Sequence, residues 1–146
     1  MPDVDGVRLC FQTLSLAMGI DRKCAGLLAP QGLSEGRFVL LQLLDASTYG
    51  LAPNTLAEQA GVTRGTVSGL LDGLEREELI ERNADSNDRR ALRVQLTDKG
   101  RRVAKTTFEQ YGLWTASLYG NLSALERKQL TGLLGKVARK LEDAGS

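Results

Sequence analysis

Two short amphipathic segments separated by a glycine break, between residues 53 and 79, constrain this chain more than any other feature. Pro53 suits a first helical position, where its missing N–H costs nothing. Leu56, Ala57 and Ala60 then line one side of a short helix, and Gly61 is a C-cap candidate. Thr63 is placed to cap a second helix, in which Val67, Leu70, Leu71 and Leu74 recur at i, i+3, i+4 and i+7 to give one inward face. Helix, tight turn and second helix make the helix-turn-helix pattern, whose second helix normally enters a DNA major groove.

The flanks extend that pattern in a definite order. After Leu79 the apolar period changes from 3.6 to 2: Leu92, Val94 and Leu96 alternate with Arg93 and Gln95. The turn-rich run Ala84 to Asp88 separates this strand from a partner at Ile80–Asn83, and a β-hairpin in this place is a wing. Upstream, Val7, Cys10, Phe11, Leu14, Ala17, Met18, Cys24, Ala25 and Leu28 trace a long amphipathic helix that Ala29-Pro30-Gln31-Gly32 ends. Ser34 can cap a second helix, apolar on most of its circumference through Phe38, Leu40, Leu41, Leu43 and Leu44. Downstream, Thr97 opens a helix reaching about Tyr119. Ser123-Ala124-Leu125-Glu126 is a capping box for a last one striped by Leu130, Leu133, Leu134, Val137 and Leu141. The terminal helices carry more apolar surface than a small winged helix can cover, which predicts a dimer interface. The expected fold is mainly α with a small β-hairpin wing. One unit spans 1–146, with a winged helix-turn-helix region at 33–96 and dimerisation helices at 4–30 and 97–143.

Composition narrows the chemistry. The chain has no histidine, which removes the commonest general base and the commonest metal ligand. Two cysteines, Cys10 and Cys24, make neither a metal cluster nor a disulfide framework. No catalytic residue, metal or cofactor is therefore expected, and the chain reads as no enzyme. Glu75, Glu77, Glu78 and Glu81 read as a solvated helix end. The acidic start and the absence of a long apolar run predict a cytoplasmic protein with no membrane contact.

With 19 Lys+Arg against 18 Asp+Glu, the net charge of +1, taken over the whole chain, argues against a nucleic-acid binder. Its distribution is not uniform. The segment Arg82–Lys105 holds eight basic and three acidic residues, a local +5, while the remainder is −4. Cations are needed only where phosphates lie, so a neutral whole with a basic wing fits groove binding.

Four blocks in order then resemble the MarR family of bacterial transcriptional regulators: Leu33–Phe38, Leu56–Thr63, Leu70–Arg76, and Asp85–Ala91 leading into Val94–Gly100. The resemblance covers the chain from about Val7 to Leu141. It implies a homodimeric winged helix-turn-helix regulator, most often a repressor, that binds pseudo-palindromic double-stranded operator DNA and releases it on binding a small, often aromatic, effector. It also implies that one of the wing arginines pairs with the aspartate at the Asp88 position to shape the wing.

The residues expected at DNA are Thr63, Arg64, Thr66, Ser68 and Gly69 on the second helix, with Arg89 and Arg90 at the wing tip. Arg64, near the helix start, is the candidate for bidentate contact with guanine, and the wing arginines are candidates for the minor groove. Gly65, Gly69 and Gly73 are read as outward, letting backbone approach DNA closely. The bland alternatives are a tolerated poor helix and solvated surface arginines.

Cys10 and Cys24 lie fourteen residues apart on one stripe, about 21 Å along a helix, too far for a disulfide within one chain. Two antiparallel copies crossing near Ala17 would bring Cys10 of one against Cys24 of the other. Leu9-Cys10-Phe11 also resembles the start of the organic-hydroperoxide-sensing branch of the family, whose reactive cysteine sits at the Cys10 position. A thiol-based peroxide sensor is thus an alternative to ordinary packing of both cysteines. A winged helix used for protein contacts alone is the alternative from another class. Tyr111, Trp114, Tyr119, Phe11 and Phe38 are the aromatics that could line an effector pocket or simply pack.

Overall fold

A computed structural model of the chain describes residues 1–84 and 91–145. The described residues form six α-helices and a two-stranded antiparallel hairpin: α1 (Val4–Leu28), α2 (Glu35–Asp45), α3 (Pro53–Ala60), α4 (Arg64–Arg76), β1 (Ile80–Ala84), β2 (Leu92–Leu96), α5 (Asp98–Leu118) and α6 (Ala124–Ala144). A 3-10 turn, Ala29–Gln31, follows α1. The expected mainly helical, winged class is the observed one.

Local chemistry sets the boundaries. The side chains of Ser34 and Thr63 accept the N–H groups of Arg37 and Thr66, satisfying donors that the first turns of α2 and α4 leave open. Pro53 is in the first turn of α3. Gly61 ends it in the left-handed region at φ 70°, and Val62 N–H donates back to Ala57 O at 3.0 Å, so the chain turns at once into α4. Thr97 Oγ1 accepts from Gly100 N at the start of α5, and Ser123 with Glu126 forms a complete capping box on α6.

One compact unit comprises Met1–Tyr111. Its core joins Leu28 and Leu33 to Phe38, Leu40, Leu41 and Leu44 of α2, Leu56 of α3, Val67, Leu71 and Leu74 of α4, and Ile80, Val94 and Leu96 of the hairpin. Full burial of each such side chain contributes roughly 1.5–3 kcal/mol. Gln42, the polar break in the apolar run of α2, is half-buried and donates to Ala104 O at 2.9 Å, so its amide N–H finds a partner at the core's edge. The hairpin register pairs Ile80 with Leu96 and Ala84 with Leu92. Leu51 adds a bridge to Val94, with hydrogen bonds of 3.0 and 2.8 Å, which extends the ladder on its other edge. In α1 only Cys24 and Leu28 are buried.

The second unit comprises Gly112–Ser146, so α5 contributes residues to both. None of the 21 residues of α6 is buried, and Leu133, Leu134, Val137 and Leu141 are exposed. Arg127 donates to Tyr119 O at 2.9 Å and lines, with Tyr119, Leu130, Thr131 and Leu134, an open cavity of about 310 Å³.

Candidate nucleic-acid interface

The inward face of α4 carries Val67, Leu71 and Leu74, so the opposite face is left to solvent. Thr63, Arg64, Thr66, Ser68 and Gly69 are all exposed there or at its N-terminus. Thr63 serves the helix first: its Oγ1 accepts Thr66 N–H at 3.2 Å and donates to Thr66 Oγ1 at 2.9 Å. That leaves the Thr66 hydroxyl proton available to an outside acceptor. Arg64 is the first helical residue, and no acidic residue stands in the first turn. A cation at the positive end of a helix dipole is unfavourable by a few tenths of a kcal/mol in isolation. Together with open N–H groups it makes a strongly electropositive tip suited to phosphate or a guanine edge.

The glycine row of α4 differs from the sequence reading. Gly65 and Gly69 are exposed, with only Thr63 Oγ1 approaching a Cβ at Gly65, at 4.0 Å. Gly73 is buried and faces α2: a Cβ there would lie 2.7 Å from Arg37 Cζ. Each i+4 step rotates about 40° around a 3.6-residue helix, so the row winds from the outer face onto the flank beside Leu70. Gly73 therefore takes no part in the outer face.

Arg82 corrects the charge reading in the same way. Its Nη2 lies 2.6 Å from Asp72 Oδ1 and its Nε 3.6 Å from Glu75 Oε2, both on α4. The charge of Arg82 is thus matched by α4 carboxylates, and Glu75 belongs to an ion pair instead of a merely solvated helix end. Lys99 donates to Glu77 O at 3.1 Å, Arg93 to Gly50 O at 3.1 Å, and Arg101 lies 4.0 Å from Asp98. Asp88, Arg89 and Arg90, expected at the wing tip, lie outside the described residues.

The two cysteines occupy unlike places. Cys10 is exposed on α1, whereas Cys24 is buried and its thiol lies 3.5 Å from the Tyr111 hydroxyl. Tyr111 also stacks on Phe38 with ring centroids 5.1 Å apart, so both aromatics belong to core packing, while Phe11 is exposed. Among the described residues no group of three or more His, Cys, Asp or Glu could hold a metal ion, and no helix is long and apolar enough to cross a membrane. Sequence reasoning passed over Arg37 and the Arg82 pair; the mid-helix glycine at 73 was the one available signal for the first.

Comparison with known proteins agrees with this geometry. The sequence profile of the MarR family matches residues 33–92. The HTH-type transcriptional repressor YetL of Bacillus subtilis is 29% identical over 140 residues, covering 95% of this chain and 84% of YetL. The HTH-type transcriptional regulator YkoM of the same organism, itself uncharacterised, is 32% identical over 72% of this chain and 68% of its own. The Staphylococcus aureus MepR–DNA complex superposes with a TM-score of 0.81 at 26% identity, covering 90% of this chain and 96% of MepR. With the winged helix in place and these relatives along most of its length, the chain belongs to the MarR family of transcriptional regulators, which are not enzymes.

Proposed function

We propose that the protein is a cytoplasmic, homodimeric repressor that binds pseudo-palindromic operator DNA and is released by a small aromatic effector. The observation that carries DNA binding is the outer face of α4, where Arg64, Thr66, Ser68 and Gly69 stand exposed at a capped helix start. The solved structure of MepR in complex with DNA supports the same use of the fold. In this reading residues 33–96 form the DNA-binding region and 4–30 with 97–143 the dimerisation helices. The unburied apolar stripes of α1 and α6 support the dimer: Phe11, Leu14, Leu133 and Val137 are each more than half exposed in one chain, and such helices need a partner. Wing residues Arg89 and Arg90 supply minor-groove and phosphate contacts, with Asp88 shaping the wing. The effector acts by population shift, favouring a dimer whose two α4 helices are spaced wrongly for successive major grooves.

A mobility-shift assay on DNA upstream of the protein's own gene tests the reading, with arms containing phenolic carboxylates and peroxide. The expected result is one sequence-specific complex released by one of the phenolic ligands. Release by peroxide alone would favour the Cys10 thiol sensor. Absence of any sequence preference would favour a protein-interaction module and overturn the proposal.

A further inference from the structure

Arg37 joins two elements that the chain places far apart in sequence. Gly32 closes the turn after α1 in the left-handed region at φ 72°, and Leu33 N–H donates to Leu28 O at 3.1 Å, so the Gly32 carbonyl is fixed by the end of α1. Arg37 Nη1 donates to that carbonyl at 3.2 Å. The backbone of Arg37 is itself held, because its N–H is the one capped by Ser34. From there the guanidinium lies over Gly73 of α4, where a Cβ would come within 2.9 Å of Nε and closer to Cζ and Nη2. Beside it, a Cβ on Gly36 would meet both Leu70 methyls at 3.1 Å. Beside the shared leucine core, this flank of the α2–α4 contact is made by Gly36 against Leu70 and by Arg37 against Gly73.

Glycine inside a helix costs about 1 kcal/mol relative to alanine. At residue 73 that cost has a local cause, since a Cβ there would crowd the Arg37 guanidinium and push it off its seat. We infer that Arg37, seated on Gly73 and bonded to the Gly32 carbonyl, is a positioning residue that fixes the C-terminal half of α4 against the end of α1 and so sets the affinity of α4 for DNA. The inference rests on the operator-binding reading above. It makes the end of α1, a helix with an apolar stripe, mechanically continuous with the helix that reads DNA.

The test is a double-mutant cycle on the full-length protein with Gly73→Ala, Arg37→Ala and their combination. Affinity is measured for a duplex selected by the wild-type protein from a random-sequence pool and for a scrambled duplex. Gly73→Ala is expected to weaken binding to the selected duplex about tenfold when Arg37 is present. In the Arg37→Ala background it should leave affinity unchanged or raise it, because alanine is the better helix former and nothing remains to be displaced. The salt slope should be the same in all four proteins, since neither residue touches phosphate. Arg37→Met, which keeps the aliphatic stem, replaces Arg37→Ala if the latter folds poorly.

Equal losses from Gly73→Ala in both backgrounds would overturn the inference, as would a shallower salt slope without Arg37, which would make it a phosphate contact. A lower melting temperature with unchanged affinity of the folded protein would reduce Arg37 to a structural role and overturn it too. If the wild-type protein binds the selected duplex no better than the scrambled one, the operator reading falls and the inference with it. Tight wild-type binding with an additive cycle removes the inference alone.

Discussion

Arg82 of β1 donates to the Asp72 carboxylate of α4 at 2.6 Å, and its buried Nε, which has no hydrogen bond, faces Glu75 Oε2 at 3.6 Å. The first strand of the wing is thereby tied to the helix it follows. With the Arg82 side chain 25% exposed and Asp72 60% exposed, the pair is partly screened. Asp72→Asn should lower stability by about 0.5–1 kcal/mol in urea denaturation. Adding Arg82→Met should recover part of that loss, because it also removes a half-buried cation that has lost the nearer of its two carboxylates. Strictly additive losses in the two single variants would show that the pair contributes no coupling.

Among the described residues Glu78 is the one non-glycine residue at positive φ, 61°. It ends α4 in the left-handed region, where an L side chain costs roughly 1–2 kcal/mol and glycine nothing. Its side chain is exposed, and the neighbouring bonds use backbone: Leu79 N–H donates to Leu74 O, and Thr97 Oγ1 to Glu78 O at 2.7 Å. Glu78→Gly should therefore raise stability by about 1 kcal/mol, less the extra entropy glycine brings to the unfolded chain. A higher urea midpoint with an unchanged m-value is the expected signature. A lower midpoint would mean that the carboxylate has a compensating role.

What the sequence disclosed was mostly local chemistry. Ser34, Thr63, Gly61 and Ser123 mark helix ends through groups within a few residues of themselves, and each does so in the structure. The hairpin followed from a change of period that needs no knowledge of partners. Contacts across elements were invisible: nothing in the order of residues pairs Arg82 with Asp72, or places Arg37 over Gly73. The glycine row was misread at one end because a three-point row was treated as a single face, although every i+4 step rotates it. Glu78 reads in sequence only as part of a solvated helix end, because the usual sign of a left-handed turn there is glycine. The exposed face of α4 was legible from the apolar face opposite to it, which is why Arg64, Thr66 and Ser68 stand where the pattern puts them.

Arg64 and the wing arginines should separate in their effects on DNA binding. Arg64→Ala removes a cation from the tip of α4; if that cation reads a guanine edge, affinity falls by about 1–3 kcal/mol and discrimination relaxes at one position per half-site. Arg89→Ala with Arg90→Ala should weaken all duplexes alike and reduce the salt slope by about one for each phosphate no longer neutralised. Footprinting should find half-sites about 10 base pairs apart between centres, one turn of the duplex. An Arg64 variant whose loss is equal on selected and scrambled duplexes would turn Arg64 into a phosphate contact.

Two glutamates should give opposite signs in the pH dependence of stability. The Ser123 N–H, donating to Glu126 Oε1 at 2.9 Å with help from the Ser123 hydroxyl, holds the Glu126 carboxyl below its ordinary range. A group lowered in the folded state contributes stability at neutral pH and loses it as pH falls below the ordinary glutamate value of about 4.3. Glu35, in the first turn of α2, is raised instead, first by a hydrogen bond with the Asp21 side chain and further by burial and by the charge of that carboxylate. The folded state then binds the Glu35 proton more tightly than the unfolded chain, so this contribution is present at acid pH and is lost as pH rises through the folded value. Glu126→Gln should accordingly lower stability near pH 7 and flatten the acid limb, whereas Glu35→Gln should raise stability near pH 7 and bring no gain near pH 4. Urea midpoints of both variants and the wild-type protein, taken from about pH 2.5 to pH 8, check the pair, and a Glu35→Gln gain independent of pH would mean that Glu35 is not raised in the folded state.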